Sequence, residues 1–237
     1  MKILYFDCFD AVNLNLLLSA FMDAGVTKEY IYEKMCEHSF KIDSEKMEDD
    51  IIPSTKSDIT VENDELMTSD SLLKLSDTIL DDLERSLVNS TLRNVDIIKF
   101  SDYLKIRACI IAFLSLDVNY AVSSYLIESL KDEDGKILPE TNVKKILDDN
   151  NIPYKIISQN GKLLSLCGVS LILALSKEYG YETELDIIKI AYGTDGKRYL
   201  RIVIGAPKNK TKTDFLQMEF KQYDIGVLSC GENKWKL

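Results

Sequence analysis

The first 25 residues constrain the fold more than any other stretch. A short, mostly apolar run from Lys2 to Phe6 leads directly into Asp7, Cys8, Phe9 and Asp10. Ala11 to Ala24 then carries apolar residues at helical density up to Gly25. A short apolar run of this kind reads as a buried strand over 2–9, and the next segment as a helix over 11–24 closed by Gly25 as a C-cap. Such a unit needs a sheet for the strand to enter and a helix laid across it. It also places an acid, a thiol and a second acid where a buried strand ends, a position where α/β proteins build sites.

The rest of the chain alternates in the same way. Residues 27–38 read as a helix with Thr27 as N-cap and Glu29 in its first turn; Tyr30 stands where a full capping box would need Glu or Gln. Phe40 and Ile42 begin a strand. Leu72, Leu75, Ile79, Leu83 and Leu87 recur at three- and four-residue steps and predict one helix over 71–90. Further helices are expected at 101–116, capped by Ser101 or Asp102, at 140–149, and at 165–179, stopped by Gly180. Strands are expected at 120–127, 153–158, 184–192, 199–205, 214–221 and 224–229, the later ones half-buried and antiparallel by the alternation of Leu200, Ile202 and Ile204 with Arg201 and Val203. The expected class is mixed α/β, with helices packed on a mixed sheet and a strand-rich C-terminal portion.

Residues 43–70 differ in character. Ten acids face Lys46 and Lys56, and Pro53 with its Ser/Thr-rich surroundings breaks any helix. This predicts a solvated, mobile linker and not a cation loop, whose ligand spacing is tighter. The expected organisation is an N-terminal strand–helix–helix unit (1–42), the acidic linker (43–70) and a main α/β portion (71–237), either separate from 1–42 or one domain with it.

Charge and rare residues exclude several functions. A net charge of −10 argues against nucleic acid or an anionic membrane as partner. Five cysteines stand singly, without CxxC spacing, which disfavours structural zinc and fits a reducing cytoplasm. The N-terminus shows no signal-like segment, and the densest later apolar run, Val169 to Leu175, is too short to span a bilayer. A cytoplasmic protein is expected. His38 is the only histidine, so no multi-histidine metal site fits within one chain. Phosphate-loop, dinucleotide, nucleophile-elbow and zincin motifs are absent, and Asp132 to Gly135 reads as a turn. Cys8, at a strand end ahead of a helix, is the thiol best placed for thiolate chemistry, and Cys167 ranks second.

The opening residues, MKILYFDCF and a helix ending at Asp23-Ala24-Gly25, resemble the start of the nickel-pincer cofactor nickel-insertion proteins (the LarC family). Further segments are similar to that family in the same order. These are Gly135 to Pro139 with the helix after it, Ile152-Pro153-Tyr154, Leu163 to Gly180, and Tyr192-Gly193 with Leu200 to Gly205. The resemblance spans most of 1–205. It implies delivery of nickel into a sulfur-rich pyridinium mononucleotide, by CTP-dependent chemistry in the family. It implies ligand-binding positions at Asp7, Cys8, Asn15, Ser165, Cys167 and Gly168. It also implies nickel as the metal, with Cys8, Asp7 and Asp10 as its candidate holders.

The departures fall on polar and glycine positions. Where the family carries a Ser-Gly-Ile-Ser-Gly-Asp stretch, this chain has Asp10, Ala11, Leu14 and Asn15 at the Ser, Gly, Gly and Asp positions. The family's His-rich run corresponds to the acids of 43–70, and its Thr-Pro-Thr-Gly to Ser165, Leu166, Cys167 and Gly168. The family's CTP-using part has no counterpart here, so a separately encoded CTP-using partner is expected to supply that step. Two alternatives stay open: a non-catalytic binding or assembly protein on the same scaffold, forming a homo-oligomer or partner complex, and a metal-dependent hydrolase using Asp7 and Asp10.

Overall fold

The computed structural model describes residues 1–35, 39–48, 52–180 and 184–208. In chain order the elements are β1 (Ile3–Asp7), α1 (Leu14–Asp23), α2 (Lys28–Lys34), β2 (Lys41–Met47), β3 (Ser54–Thr60), β4 (Leu66–Thr68), α3 (Ser69–Ile79), α4 (Asp82–Leu92) and β5 (Ile97–Lys99). There follow α5 (Phe100–Ser115), β6 (Tyr120–Ser123), β7 (Leu126–Lys131), α6 (Thr141–Asp149), β8 (Tyr154–Asn160), α7 (Leu166–Leu175), β9 (Ser176–Glu178), β10 (Leu185–Thr194) and β11 (Tyr199–Pro207). The class is mixed α/β, as the alternation of periods in the sequence predicts.

A seven-stranded sheet organises the molecule in the order β2-β3-β10-β11-β1-β6-β9. β1 lies inside it, antiparallel to β11 and parallel to β6. Successive side chains of a strand leave opposite faces. Leu4, Phe6 and Cys8 therefore enter the main core, whereas Ile3 packs with Tyr120 and Val122 in a small cluster of their own, with Tyr5 against it. α1 lies across β10 and β3 and packs on α5. Phe21 of α1 meets Phe6 edge-on, with centroids 6.1 Å apart, a geometry that adds about 0.5–1.5 kcal/mol to the area buried. Gly193 is what lets α1 sit directly on β10. A Cβ there would fall 2.1 Å from the Leu16 carbonyl oxygen and 2.5 Å from the Ala20 nitrogen.

Several boundaries differ from the sequence expectation. Helix α1 begins at Leu14, because Asn13 caps it and Val12 pairs instead with Leu164. The helix expected over 71–90 is two, α3 and α4, interrupted at Leu80–Asp81, where Asp81 caps α4 by accepting from Leu83 and Glu84 N–H. At the start of α5 neither Ser101 nor Asp102 is the cap. Lys99 holds that position without a side-chain hydrogen bond, and Asp64 accepts the Ser101 N–H. The strand expected at 120–127 splits into β6 and β7, which belong to different sheets. Helix α7 ends at Leu175, and Ser176–Glu178 pairs with β6. The strands expected at 214–221 and 224–229, and His38, Cys36 and Cys230, lie outside the described residues.

The acidic stretch, expected as a linker, carries strands among its described residues. β2 and β3 form an antiparallel hairpin from Lys41↔Thr60 to Met47↔Ser54, and β3 joins the large sheet beside Gly193 and Thr194. Backbone pairing needs no apolar side chains. The hairpin's inward positions are filled by Ile42 and Ile59 and by small polar groups, with Ser57 N–H donating to Ser19 Oγ at 2.7 Å on α1. Lys105 of α5 takes up one of its acids, with Nζ 2.7 Å from Asp58, and Lys41 of β2 takes up Asp43 at 2.6 Å.

Candidate functional site

Two loops meet above the sheet and define a cavity. Val12 N–H donates to the Leu163 carbonyl at 2.8 Å, and Ser165 N–H donates to the Val12 carbonyl at 2.9 Å. One residue beyond this bridge on each side, a helix begins. Asn13 Oδ1 accepts the Leu16 N–H at 2.9 Å to cap α1, and Ser165 Oγ accepts the Gly168 N–H at 3.1 Å to cap α7. The bridge thereby sets two helix N-termini side by side. Gly168 makes the approach possible, since a Cβ there would lie 2.9 Å from both the Asn13 Cα and the Val12 carbonyl oxygen.

The cavity has a volume of about 340 Å³. Asn13, Leu14 and Asn15 of the α1 start form one wall, and Ser165, Leu166 and Cys167 the other. Asp102, in the first turn of α5, and Asp195, in the β10–β11 turn, complete it. Three hydrogen bonds fix the Asp195 carboxylate: Oδ2 accepts from Asn13 Nδ2 at 3.1 Å, and Oδ1 accepts the Lys197 and Arg198 N–H groups at 3.0 Å each. A second cavity of about 390 Å³ adjoins through Asp102 and is lined by Asp58, Asp64, Lys99 and Lys105. The first cavity thus lies between the positive ends of two helices and is completed by two carboxylates. Such a lining matches a ligand that is itself of mixed charge.

The expected site residues divide into two groups. Asn15, Ser165 and Cys167 all line the cavity, and Gly168 shapes it. Asp7, Cys8 and Asp10 lie elsewhere. Asp7 accepts from Arg201 Nε at 2.7 Å and from Nη2 of the same guanidinium, which also stands over the Phe9 ring. Asp10 accepts from Arg198 Nη1 at 3.1 Å and from the Tyr199 N–H at 3.0 Å. Both acids pin β1 and its exit to β11. Cys8 is 1% exposed, its N–H donating to Ser124 Oγ and its sulfur against Ser123 Oγ. Burial, with the charge of Asp7 added, pushes its thiol up to about 12, against the opposing pull of the Ser123 and Ser124 hydroxyls. The thiolate stabilisation expected at a strand end is therefore absent, because the side chain points into the core.

Cys167 is the thiol in the cavity wall. Burial first, and the neighbouring Asp102 charge second, raise it to about 12, while Lys162 pulls the other way. It rests as the thiol, and a metal would have to displace its proton. Among the described residues, no group of three or more His, Cys, Asp or Glu side chains could hold a metal ion.

Sequence reasoning missed Asn13, Asp102, Asp195 and Glu128. Asn13 had a readable signal, as an Asn directly before an apolar run. Asp195 sits in a Thr-Asp-Gly-Lys turn, recognisable as a turn but not as a neighbour of residue 13. Glu128 is fully buried on β7, and its Oε1 accepts the Leu163 N–H at 2.8 Å, tying the second loop from beneath.

Among the described residues no helix is long and apolar enough to cross a membrane. No protein-family profile matches the chain, and no solved structure matches it. A curated relative does: the pyridinium-3,5-bisthiocarboxylic acid mononucleotide nickel insertion protein of Acetivibrio thermocellus, 24% identical over 256 residues, covering 90% of this chain. The chain spans 63% of that relative's length. The chain is thus similar over most of its length to a nickel insertion protein.

Proposed function

We propose that this chain acts in nickel-pincer cofactor biosynthesis and holds the pyridinium mononucleotide in the cavity between the starts of α1 and α7. The observation that carries the reading is the meeting of the two loops. Asn15 and the Ser165–Gly168 segment, 150 residues apart in sequence, share one cavity and not two. The chemistry of the lining suits such a substrate. A phosphate finds the positive ends of two helices, and a cationic pyridinium finds the negative charge of Asp102, 3.6 Å from Lys105, and of Asp195, which neutral amides hold in place.

Nickel is here a substrate, and sulfur ligands suit it. The thiocarboxylates of the mononucleotide would supply most of them, and the protein thiol to back is Cys167, which lines the cavity, in place of the core-facing Cys8. Hydrolysis through Asp7 and Asp10 is not proposed, since arginines occupy both carboxylates.

Calorimetric titration of the chain with pyridinium-3,5-bisthiocarboxylic acid mononucleotide tests the reading. Binding is expected, with Asn15→Ala and Ser165→Ala each weakening it and Cys8→Ala leaving it unchanged. In a nickel titration of the preformed complex, Cys167→Ser is expected to weaken retention and Cys8→Ala is not. Absence of mononucleotide binding to the wild-type chain would overturn the proposal.

A further inference from the structure

Glu128 poses a physical question that the sheet does not answer. Its carboxylate is fully buried, and among the described residues no cation pairs with it; Lys162, on the loop it holds, is engaged with Glu140 at 2.7 Å. A buried carboxylate without a cation is costly, and an apolar side chain would be the cheaper occupant unless something nearby needs an acceptor. The acceptors' clients are backbone amides. Oε1 takes the Leu163 N–H at 2.8 Å and the Ser129 N–H at 2.9 Å, and Oε2 takes the Leu164 N–H at 3.3 Å.

Leu163 and Leu164 belong to the strap that makes the cavity wall. The Leu163 carbonyl accepts from Val12, Leu164 bridges Val12, and Ser165 donates to Val12 and then caps α7. The Gly161 N–H, bonded to the Lys131 carbonyl at 3.0 Å, fixes where the strap starts. Its amides thus face Glu128, while the Leu163 carbonyl and the Ser165 N–H bond Val12. Without the carboxylate, two adjacent buried N–H groups would lack partners, and the strap would have to turn to satisfy them. Burial also raises the Glu128 carboxyl, against the pull of the three amides and of Lys162.

We infer that Glu128 is a positioning residue for the α1–α7 cavity: it holds Leu163 and Leu164 so that Ser165 and the first turn of α7 face the start of α1. The inference rests on the reading of that cavity as the ligand site.

Amide hydrogen exchange and side-chain NMR of Glu128→Ala and Glu128→Gln, with mononucleotide titration of each, test it. In Glu128→Ala the Leu163 and Leu164 amides are expected to exchange about tenfold faster or more, as loss of a buried acceptor implies. The Asn13 side-chain amide signal, across the cavity, is expected to move, and mononucleotide affinity to fall about tenfold. The Ile106 and Ile110 amides of α5 keep wild-type protection. Glu128→Gln, which keeps one acceptor oxygen, is expected to restore part of each effect. Unchanged Leu163 and Leu164 exchange in a folded Glu128→Ala chain overturns the inference. So does faster exchange with the Asn13 signal and the affinity unmoved, which would leave Glu128 a purely local role. If Glu128→Ala does not fold, Glu128→Gln carries the same comparison at Leu164. If the wild-type chain does not bind the mononucleotide, the reading of the site fails, and the exchange and Asn13 signals still decide the role of Glu128.

Discussion

Asn13 donates its side-chain amide to Asp195 at 3.1 Å, joining residues 182 positions apart, while the oxygen of the same amide caps α1. One side chain thus fixes the start of a helix and the tip of the β10–β11 turn, and both belong to the cavity wall. Replacing Asn13 by Asp keeps the cap and sets two carboxylates against each other. We predict that Asn13→Asp weakens mononucleotide binding more than it lowers stability, and that Asn13→Ala costs about 1 kcal/mol in urea unfolding through loss of the cap.

Gly168 is predicted to be irreplaceable for a steric reason. The added methyl of Gly168→Ala meets two backbone atoms at 2.9 Å, and backbone yields less readily than a side-chain tip. The loops must separate, at a cost of about 1–3 kcal/mol. Chemical denaturation measures that cost, and calorimetry should show loss of binding in the fraction that stays folded. Gly193→Ala, with its closer clash against α1, should be more destabilising than Gly168→Ala in the same assay.

Glu84 and Arg107 form a largely buried ion pair between α4 and α5, with Nε 2.9 Å from Oε1. Glu84→Ala removes a charged acceptor from a buried guanidinium and is expected to lose about 1.5–3 kcal/mol of stability, read from the urea midpoint.

Asp23 should give the chain an acid-sensitive joint. Burial would raise its carboxyl, but Lys46 at 2.5 Å, the Tyr192 N–H at 3.0 Å and the Thr55 hydroxyl at 2.7 Å together hold it below the ordinary carboxylate range. A depressed folded-state pKa contributes stability that is present above the unfolded value of about 3.9 and is lost as pH falls through the folded one. Asp23→Asn is therefore expected to be less stable than wild type at pH 7, by about 1.5–3 kcal/mol, with the gap closing below about pH 4. Thermal melts across pH 2.5–7 would reveal a constant gap if the argument is wrong.

The thiols should separate by location. In a chain retaining only Cys8 and Cys167, a thiol reagent at pH 8 is expected to modify Cys167 slowly in the folded state and Cys8 only on unfolding, since Cys8 is enclosed. Equal rates under native conditions would refute the core assignment of Cys8.

Much of the local structure was legible. The Lys2–Phe6 run, the Thr27 cap, the Gly25 stop and the alternation of Leu200, Ile202 and Ile204 each encode an element within a few residues of themselves, and each has its counterpart in the structure. The hairpin of β2 and β3 was hidden because charge density masks a ladder made of backbone. The break at Leu80–Asp81 was hidden because the apolar stripe runs through it.

Of the residues proposed for the site, Asn15, Ser165 and Cys167 line one cavity, whereas Asp7, Cys8 and Asp10, favoured by resemblance and by their chemistry, lie apart from it, since chemistry in sequence carries no direction. Period-two geometry sends Cys8 into the core, β11 brings Arg201 to Asp7, and the β10–β11 turn brings Arg198 to Asp10. The sequence by itself determined the mixed α/β class and several single elements with their ends, such as the Thr27 cap, because these depend on neighbours within a turn or a strand. Only the tertiary structure decided which polar groups face one another. Val12 meeting Leu164, Asn13 meeting Asp195 and Glu128 meeting the strap are contacts between distant segments, set by sheet order and by the close packing that Gly168 and Gly193 permit.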